Sequence, residues 1–308
     1  MARFRFLTKT IFDRRGRPVA PSARPAPDSW SNSAITGSCL GHSTVLLNFL
    51  GVRILTDPVF STRVGPGVAP LIVGPKRIFR PALRARDFAP PDLLLLSHAH
   101  FDHFDLSSLR RFARDTPVVT AKHTADLLRA LRFREIYELD WGRSILLAPR
   151  GEPIQITAVQ VAHWGARMMR DHHRGYNGYL LERGGHVICF AGDTAFTRAF
   201  RELNNPRRGL DLMLMPIGAY NPWIRAHCSP EQAVAMADMA GAHYFVPIHH
   251  ETFALGYEPI TEPAERLVAA VGDPIQRLLA TRVGETFQVP LNAAFNGIPL
   301  GRSTRRAA

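Results

Sequence analysis

Short apolar runs separated by turns dominate the chain between residues 34 and 290. They are rich in β-branched and aliphatic side chains, which is typical of strands. The pattern predicts strands at residues 34–39, 44–49, 52–56, 93–97, 118–120, 136–139, 154–161, 179–182, 186–190, 212–216 and 244–248. Helix-like stretches lie at 106–114, 124–131, 230–240 and 263–271. Because the strands come first in hairpins and are then interspersed with helices, we expect an α/β sandwich of two sheets with helices outside.

Capping and turn signals set the limits of the predicted elements and of the folded domain. Before the third helix, Ser229 is a favoured capping residue, Pro230 takes the first helical position and Gln232 completes a capping box. No linker or internal repeat divides the middle of the chain. We therefore predict a basic amino-terminal arm at 1–33, one domain at 34–290 and a tail at 291–308.

Composition and charge narrow the class of protein. Hydrophobic residues make up 46% of the 308 residues and charged residues 21%, which excludes a disordered or collagen-like chain. Thirty-eight Lys and Arg against 26 Asp and Glu give a formal charge of +12. The surface therefore favours anionic partners such as phosphates, nucleic acid or acidic lipid headgroups. No window reaches the roughly 20 apolar residues that a membrane-spanning helix needs.

Cysteine usage and the amino-terminal sequence bear on location. Cys39, Cys189 and Cys228 have no C-x-x-C spacing and are odd in number, so a disulfide framework is not predicted and a reducing cytoplasm fits. Residues 1–30 carry seven Lys and Arg against two Asp and lack the apolar stretch of a secretory signal. Apolar positions 4, 7, 11 and 12 would share one helical face. The arm either lies on the anionic inner face of the membrane or packs along the sandwich edge.

One buried apolar run ends in a cluster of metal-ligand residue types. The segment 92–105 reads DLLLLSHAHFDHFD, so His98, His100, Asp102 and His103 follow the run. Alternate residues of an extended segment point the same way, so His98 and His100 can bind one cation. The turn that follows directs Asp102 and His103 to a second position. Imidazole and carboxylate together suit Zn²⁺, with Mn²⁺ or Fe as other occupants, whereas a loop of solvated histidines is the alternative.

Three later apolar runs lead to the same residue types, at His163, Asp193 and His249. Sheets commonly place their sites at the carboxyl ends of strands, so we expect the four ends to converge. Three protein ligands for each metal, plus a bridge, leave room for a water, as a catalytic site requires. Counting assigns His98, His100 and His163 to one metal, Asp102, His103 and His249 to the other, and Asp193 to the bridge.

These residues and several other segments resemble the metallo-β-lactamase superfamily. HAHFDH matches its H-x-H-x-D-H signature, and the chain resembles more narrowly the bacterial relatives of N-acylphosphatidylethanolamine-hydrolysing phospholipase D. The resemblance implies a four-layer αβ/βα sandwich of two mixed sheets with helices on the outer faces. It also implies two zinc ions per chain, held by the seven residues named above. The matching segments are GHSTVLL (41–47), LTDPVFSTRVGP (55–66), GPKR (74–77), HWGAR (163–167), AGDTAF (191–196), HCSPEQAV (227–234) and PIHHETF (247–253).

The chain departs from the family's pattern around the predicted metals. Phe101 stands where the family usually has Tyr, His250 and Glu251 stand where it has a Trp-Gly pair, and segment 176–179 lacks a Trp. Members that hydrolyse β-lactams commonly have Cys at the place of Asp193, which disfavours that activity here. The hydrolase chemistry is thus implied more strongly than a lipid specificity.

Other histidines and one aspartate have two interpretations each. The resemblance makes His227 a residue that stabilises or protonates a phosphate oxygen, whereas a surface histidine is the alternative. Asp57 either orients a ligating histidine or forms a simple Asp-Pro turn. His250 is predicted to be structural or to line the pocket. Most of the remaining histidines are expected to be ordinary surface or partly buried side chains: His42, His123, His172, His173, His186 and His243.

Basic and apolar residues in the loops could contact a substrate. Arg167, Arg170 and Arg174 form either a phosphate-binding cluster or part of a solvated loop. Apolar loop residues form either a pocket for a hydrocarbon substituent of the substrate or part of the core. These apolar residues are Met168, Met169, Tyr220, Trp223, Ile224, Phe253 and Tyr257.

The sequence therefore predicts a dinuclear zinc hydrolase. The metals lower the pKa of a bridging water from 15.7 towards roughly 7, Asp102 or Asp193 fixes and deprotonates that water, and His227 assists the leaving group. A lipid phosphodiester resembling N-acyl phosphatidylethanolamine fits the family, the charge and the apolar loops. The alternatives are a lactonase or carboxylic-ester hydrolase of the ascorbate-phosphate lactonase type, and a metal-bound regulatory or nucleic-acid-binding protein without turnover. Nucleic acid is disfavoured because no RNA-binding insertion is found, and the oligomeric state stays open.

Overall fold

Two mixed β-sheets form the centre of the molecule. The computed structural model describes residues 16–67, 71–151, 153–168, 170–205, 209–272 and 275–291. The strands are β1 Ile35–Gly41, β2 Thr44–Phe49, β3 Val52–Thr56, β4 Leu93–Leu96, β5 Val118–Ala121, β6 Ile136–Leu139, β7 Ser144–Leu147, β8 Ile154–Val159, β9 Gly178–Arg183, β10 His186–Phe190, β11 Leu210–Pro216, β12 Ala242–Ile248 and β13 Thr286–Val289. The α-helices are α1 Leu106–Leu109, α2 Ala125–Arg129, α3 Tyr220–Trp223, α4 Pro230–Met239 and α5 Glu262–Val271, with 3-10 turns at Pro27–Ser29, Pro149–Gly151, Ala199–Leu203 and Ile275–Arg277.

Each sheet combines antiparallel hairpins with parallel strands. The first sheet has the order β13-β1-β2-β3-β4-β5-β6, in which β3 to β6 are parallel. The second has the order β12-β11-β10-β9-β8-β7, in which β10 to β12 are parallel. Because β9 is antiparallel to both β8 and β10, strands β8, β10 and β12 all point the same way. Their carboxyl ends therefore share one edge of the sandwich.

Buried apolar side chains on both faces of each sheet create four layers. In β4, Leu93 and Leu95 pack in the core between the sheets, while Leu94 and Leu96 face the layer that contains α1 and α2. A strand buried on both faces reads as a continuous apolar run, which explains the four consecutive leucines. The outer face of the second sheet packs against α4 and α5. The predicted αβ/βα sandwich is confirmed.

Two predicted helix boundaries need comment. The helix predicted at 106–114 is wrong in length, because α1 ends at Leu109 and turns follow. The guanidinium of Arg114 donates to the carbonyl oxygens of Leu109 (3.3 Å), Phe112 (2.9 Å) and Arg110 (3.0 Å), so it satisfies carbonyls at the end of the helix. The capping box before α4 is confirmed, since Ser229 and Gln232 exchange both bonds.

Sequence analysis missed two strands at the edges of the sheets. Strand β7 is only half buried, and β13 alternates exposed and buried residues. Strand β13 pairs with β1, more than 240 positions earlier in the chain, as in the pair Ile35 and Val289. Short edge strands have one neighbour and few buried residues, so their local pattern is weak.

The described part of the amino-terminal arm packs against the domain. Val19 donates to the carbonyl of Ile78 (2.8 Å) and accepts from the backbone N–H of Arg80 (2.7 Å). The apolar positions 4, 7, 11 and 12 and the tail from 292 onwards lie outside the described residues, and the domain limits stay predictions. Within the described ranges, no helix is long and apolar enough to cross a membrane.

Candidate metal centre

The four predicted strand ends meet at one edge of the sandwich. Strand β4 of the first sheet leads to His98 and His100, whereas β8, β10 and β12 of the second sheet lead to His163, Asp193 and His249. The ends are not on adjacent strands of one sheet. They converge because the two sheets face each other and β8, β10 and β12 run in the same direction.

The first group contains the three histidines that sequence analysis assigned to one metal. Nε2 of His98 lies 2.8 Å from Nδ1 of His100, and Nε2 of His163 lies 3.3 Å from the same atom. Ligand-type atoms of all three lie within 4.8 Å of one another. This spacing suits three nitrogens around one ion.

The second group contains Asp102, His103 and His249. Oδ2 of Asp102 lies 3.8 Å from Nε2 of His103 and 3.7 Å from Nε2 of His249. The imidazole rings of His103 and His249 are stacked, with centroids 5.2 Å apart. Their Nε2 atoms both face the carboxylate of Asp102.

Asp193 lies between the two groups. Its Oδ2 is 3.1 Å from Nε2 of both His103 and His249, 3.8 Å from Nε2 of His163 and 4.0 Å from Nε2 of His98. A single carboxylate oxygen thus contacts or approaches ring nitrogens of both groups. This is the position that a bridging ligand requires.

Buried polar atoms of these residues are left without hydrogen bonds, as metal ligands would be. Within the described chain, no hydrogen-bond partner exists for Nε2 of His100, His103 and His249 or for Oδ1 of Asp193. An unpaired buried polar atom is costly, so a group of them facing one point indicates a missing partner. Imidazole nitrogens and carboxylate oxygens are ligands of zinc, manganese and iron. The residues therefore fit a metal centre.

Asp57 holds histidines of both groups in place. Its Oδ2 accepts hydrogen bonds from Nδ1 of His103 (2.6 Å) and from Oγ of Ser97 (2.6 Å), and its Oδ1 accepts from the backbone N–H of Ser97. Oγ of Ser97 in turn lies 2.9 Å from Nδ1 of His98. Such contacts fix the ring orientation and leave Nε2 free for a metal. The prediction that Asp57 orients a histidine agrees with this geometry.

His42 is the site residue that sequence analysis missed. It is buried, its Nε2 lies 3.0 Å from Oδ2 of Asp102, and its ring is 4.1 Å from that of His249. Its carbonyl also accepts from the backbone N–H of His249 (3.0 Å). His42 directly follows β1, but the strand predicted at 34–39 ends three residues earlier, so the rule of polar residues at strand ends did not select it.

Burial and charge together shift the pKa values of the centre. Burial lowers the pKa of His42 and of His100 to about 3, so both are neutral. Burial also opposes a charge on His249, but the carboxylates of Asp193 and Asp102 overcome it and raise its pKa to about 9. The carboxylates are buried too, yet the charge of His103 keeps their pKa values well below the usual range. In the metal-free protein, protons on histidines therefore compensate the carboxylate charge.

His227 lies beside both groups, just before α4. Its Nδ1 is 3.8 Å from Oδ2 of Asp193, and its ring is 5.1 Å from that of His163 and 5.0 Å from that of His249. Burial lowers its pKa well below the usual value, so the ring is neutral. The side chain is 13% exposed, and its Nδ1 has no hydrogen-bond partner among the described residues. A surface histidine is therefore the wrong interpretation.

The arginines after His163 do not form a free phosphate-binding cluster. Arg167 donates to the carbonyls of Ala99 (2.9 Å) and Phe104 (2.7 Å) and stacks on Phe101 at 4.0 Å. Arg174 pairs with Asp126 and Asp171, and Arg170 is exposed. Arg167 and Arg174 thus support loops. For these two residues, the predicted phosphate-binding cluster and the predicted solvated loop are both wrong.

Trp164 is an exposed apolar side chain that lies against the metal centre. Trp164 is 51% exposed and its ring lies 4.7 Å from that of His100, and Met168 is 56% exposed. Ile224 and Tyr257 are also exposed, whereas Tyr220 and Phe253 are buried and belong to the packing. Nδ1 of His250 is buried without a hydrogen-bond partner in the described chain. Trp223 donates to the carbonyl of Leu255, and Met169 lies outside the described residues.

Comparisons with known proteins agree with this site. Residues 52–250 match the family model described as the beta-lactamase superfamily domain. An uncharacterized protein of Mycobacterium tuberculosis is 33% identical over 264 residues, which cover 82% of this chain and 69% of that protein. The N-acyl-phosphatidylethanolamine-hydrolyzing phospholipase D 1 of Caenorhabditis elegans is 30% identical over 256 residues, covering 79% of this chain and 71% of that protein.

Solved structures show the same fold. The isothiocyanate hydrolase from Delia radicum gut bacteria has a TM-score of 0.65 at 18% identity and covers 82% of this chain and 98% of its own. Other relatives carry the name metal-dependent hydrolase. The match to the family model covers more than half of the chain and includes all seven predicted metal ligands and their strands. The chain therefore belongs to the metallo-β-lactamase superfamily and is a metal-dependent hydrolase.

Proposed function

We propose that the protein is a dinuclear zinc phosphodiesterase of the phospholipase D type that acts on lipids resembling N-acyl phosphatidylethanolamine. The position of Asp193 carries the proposal, because one of its oxygens lies within 4.0 Å of ring nitrogens from both histidine groups. A carboxylate between two groups suits a pair of ions that share a water. The name of the worm relative supports a lipid phosphodiester as substrate.

His98, His100 and His163 would hold one zinc ion, Asp102, His103 and His249 would hold the other, and Asp193 would contact both. Zinc bound there supplies Lewis acidity and lowers the pKa of a bound water from 15.7 towards roughly 7. The residues thus prepare a nucleophile at neutral pH.

The remaining side chains have roles in proton transfer and positioning. A carboxylate oxygen of Asp102 or Asp193 orients the attacking water and accepts its proton. The water oxygen forms a bond to phosphorus, the bond from phosphorus to the alcohol oxygen breaks, and the proton that the carboxylate accepted passes to that oxygen, while the neutral ring of His227 donates a hydrogen bond to it. His42 holds Asp102 through its contact at 3.0 Å. Trp164 and Met168 offer apolar surface to the acyl chains.

An activity screen tests the proposal. Zinc-loaded protein is incubated with bis(p-nitrophenyl) phosphate, an aryl ester and a lactone, and then with vesicles of N-acyl phosphatidylethanolamine, with products identified by mass. We expect phosphodiester cleavage, release of N-acylethanolamine and phosphatidic acid, and loss of turnover on chelation. The variant His163→Ala should lose at least about 100-fold in kcat/KM.

His172→Ala is the matched control, because it removes an exposed histidine near His163 in the chain and should retain full activity. Lactone or ester cleavage with inert phosphodiesters would favour the carboxylic-ester hydrolase instead. Metal binding without any turnover would favour a regulatory role. Cytoplasmic location and membrane contact through the arm stay proposals that rest on the sequence.

A further inference from the structure

A groove rich in arginine lies on the outer side of the first sheet. It encloses about 760 Å³ between the described part of the amino-terminal arm, the loop around Phe60 and the segment before β4. None of the residues grouped in the metal centre lines it. Its volume is within the range of roughly 300 to 1,000 Å³ that small-molecule sites have. The arginines that line it are Arg24, Arg80, Arg84, Arg86 and Arg111.

We propose that this groove is a second binding site, for a phosphate monoester that carries an apolar group. The site is separate from the reaction, so the inference goes beyond the proposed function. The ligand is defined by its chemistry, an anionic phosphate joined to a hydrocarbon. A free alkyl phosphate and the headgroup of phosphatidic acid both have it.

The charge of the groove favours an anion. Among the described residues that line it, Asp87 is the one acidic side chain against five arginines. Oδ2 of Asp87 accepts from Arg24 (3.3 Å) and from Arg84 (3.2 Å), so it links the arm to the opposite segment. One carboxylate cannot neutralise five guanidinium groups, and the groove therefore has an excess of positive charge.

Three arginine side chains are available to a ligand. In the part of the chain that the structure describes, the guanidinium groups of Arg80, Arg86 and Arg111 make no hydrogen bond or ion pair, and all three residues are exposed. A guanidinium binds phosphate oxygens through two parallel N–H bonds, which makes arginine better suited than lysine to this role. Arginines from separate segments can thus contact one phosphate from different sides.

The floor of the groove is apolar. Phe60 lies 6.5 Å from the ring of Phe88 and 6.4 Å from the ring of Phe112, and Ala82 is 5% exposed within the same core cluster. Pro81 and other small residues complete the lining. An apolar floor below charged walls suits a ligand with a hydrocarbon part and disfavours inorganic phosphate alone.

The groove is formed before a ligand binds. The backbone bonds of Val19 to Ile78 and Arg80 fix the arm to one wall, and the paired Asp87 fixes it at another point. Preformed sites lose less conformational entropy on binding. The described arm therefore has a structural role in building the site.

Isothermal titration of the full-length, zinc-loaded protein with hexyl phosphate tests the proposal. We expect saturable binding that Arg80→Gln with Arg111→Gln weakens by about tenfold or more, because two charged contacts are removed. The double variant Arg129→Gln with Arg143→Gln is the control, since it makes the same change of charge at exposed residues outside the groove. It should leave the affinity unchanged. Hexanol and hexyl sulfate serve as ligands that lack the charge or the phosphate.

A second experiment distinguishes a lipid headgroup from a soluble ester as the source of the phosphate. Phosphatidylcholine vesicles with and without phosphatidic acid are sedimented with each variant. If Arg80→Gln with Arg111→Gln loses the binding that depends on phosphatidic acid, and the control variant does not, the ligand is a lipid headgroup. If the same variant loses only its affinity for hexyl phosphate, the ligand is a soluble ester. Equal weakening in both double variants would overturn the proposal, because it would reflect net charge only. Binding of an oligonucleotide but of no phosphate monoester would also overturn it, in favour of a polyanion surface.

Discussion

Single residues around the metal centre act through networks of hydrogen bonds. Asp57 illustrates this, because it contacts His103 directly and reaches His98 through Ser97. One buried carboxylate therefore orients histidines of both groups. His42 has a similar role for Asp102 on the opposite side. Removing such a residue should alter metal binding although it donates no ligand to the metal itself.

The variants Asp57→Asn and Ser97→Ala separate the two branches of this network. Asp57→Asn weakens the contacts to His103 and Ser97 together, and we expect metal affinity to fall by about 10-fold to 100-fold. Ser97→Ala removes the hydroxyl bonds to His98 and Asp57 but keeps the bond between Asp57 and His103, so it should weaken the group that contains His98 more than the group that contains His103. Zinc titration against a chromophoric chelator measures both affinities. Wild-type affinity in both variants would contradict the network, and thermal unfolding checks that each variant is folded.

At the scale of elements, the strands bring ligands to the site and helix α4 positions His227. The helix begins at Pro230, directly after the capping residue Ser229, and its buried face packs on the second sheet. His227 stands two residues before this cap. The first turn of α4 therefore fixes the backbone next to a residue that we propose as a hydrogen-bond donor to the leaving group.

Ser229→Ala should lower the free energy of unfolding by about 1 kcal/mol, because the N–H of Gln232 loses its capping acceptor. Urea denaturation measures this change. Ser229→Asn is the matched control, since asparagine caps equally well, adds no charge beside Glu231 and should retain the wild-type stability. A loss of the same size in both variants would show that the cap is not the cause.

At the scale of the whole molecule, the fold concentrates charge that a metal must balance. Carboxylates of Asp102 and Asp193 lie within 4.0 Å of six histidines, and protons take the place of metal when none is bound. The pKa of His249 is raised from its ordinary value of 6.5 to about 9 in the metal-free protein. A metal that binds through this nitrogen must therefore displace its proton.

Zinc affinity should consequently rise with pH between 6.5 and about 9. The sign follows from the raised pKa, because the proton that competes with zinc is held below about pH 9 and is lost above it. Titrations in buffers of different ionisation enthalpy would measure the protons released per zinc. Affinity independent of pH across this window, after correction for the chelator, would contradict the expectation.

The sequence by itself determined much of this protein. Apolar runs of strand length marked eleven of the strands, and the cluster from His98 to His103 with His163, Asp193 and His249 marked the site. These features are local, because the hydrophobic period and the residue that follows a strand do not depend on distant partners. The capping box at Ser229 is local for the same reason.

Tertiary structure alone decided the rest. The edge strand β13 depends on its pairing with β1, and His42 becomes a site residue because it lies against Asp102, 60 positions away. The roles of the arginines also depend on tertiary structure. Arg167 supports a loop, whereas Arg80 and Arg111 line the groove. Which charges are paired depends on contacts between distant segments, and these form only when the two sheets and the arm pack together.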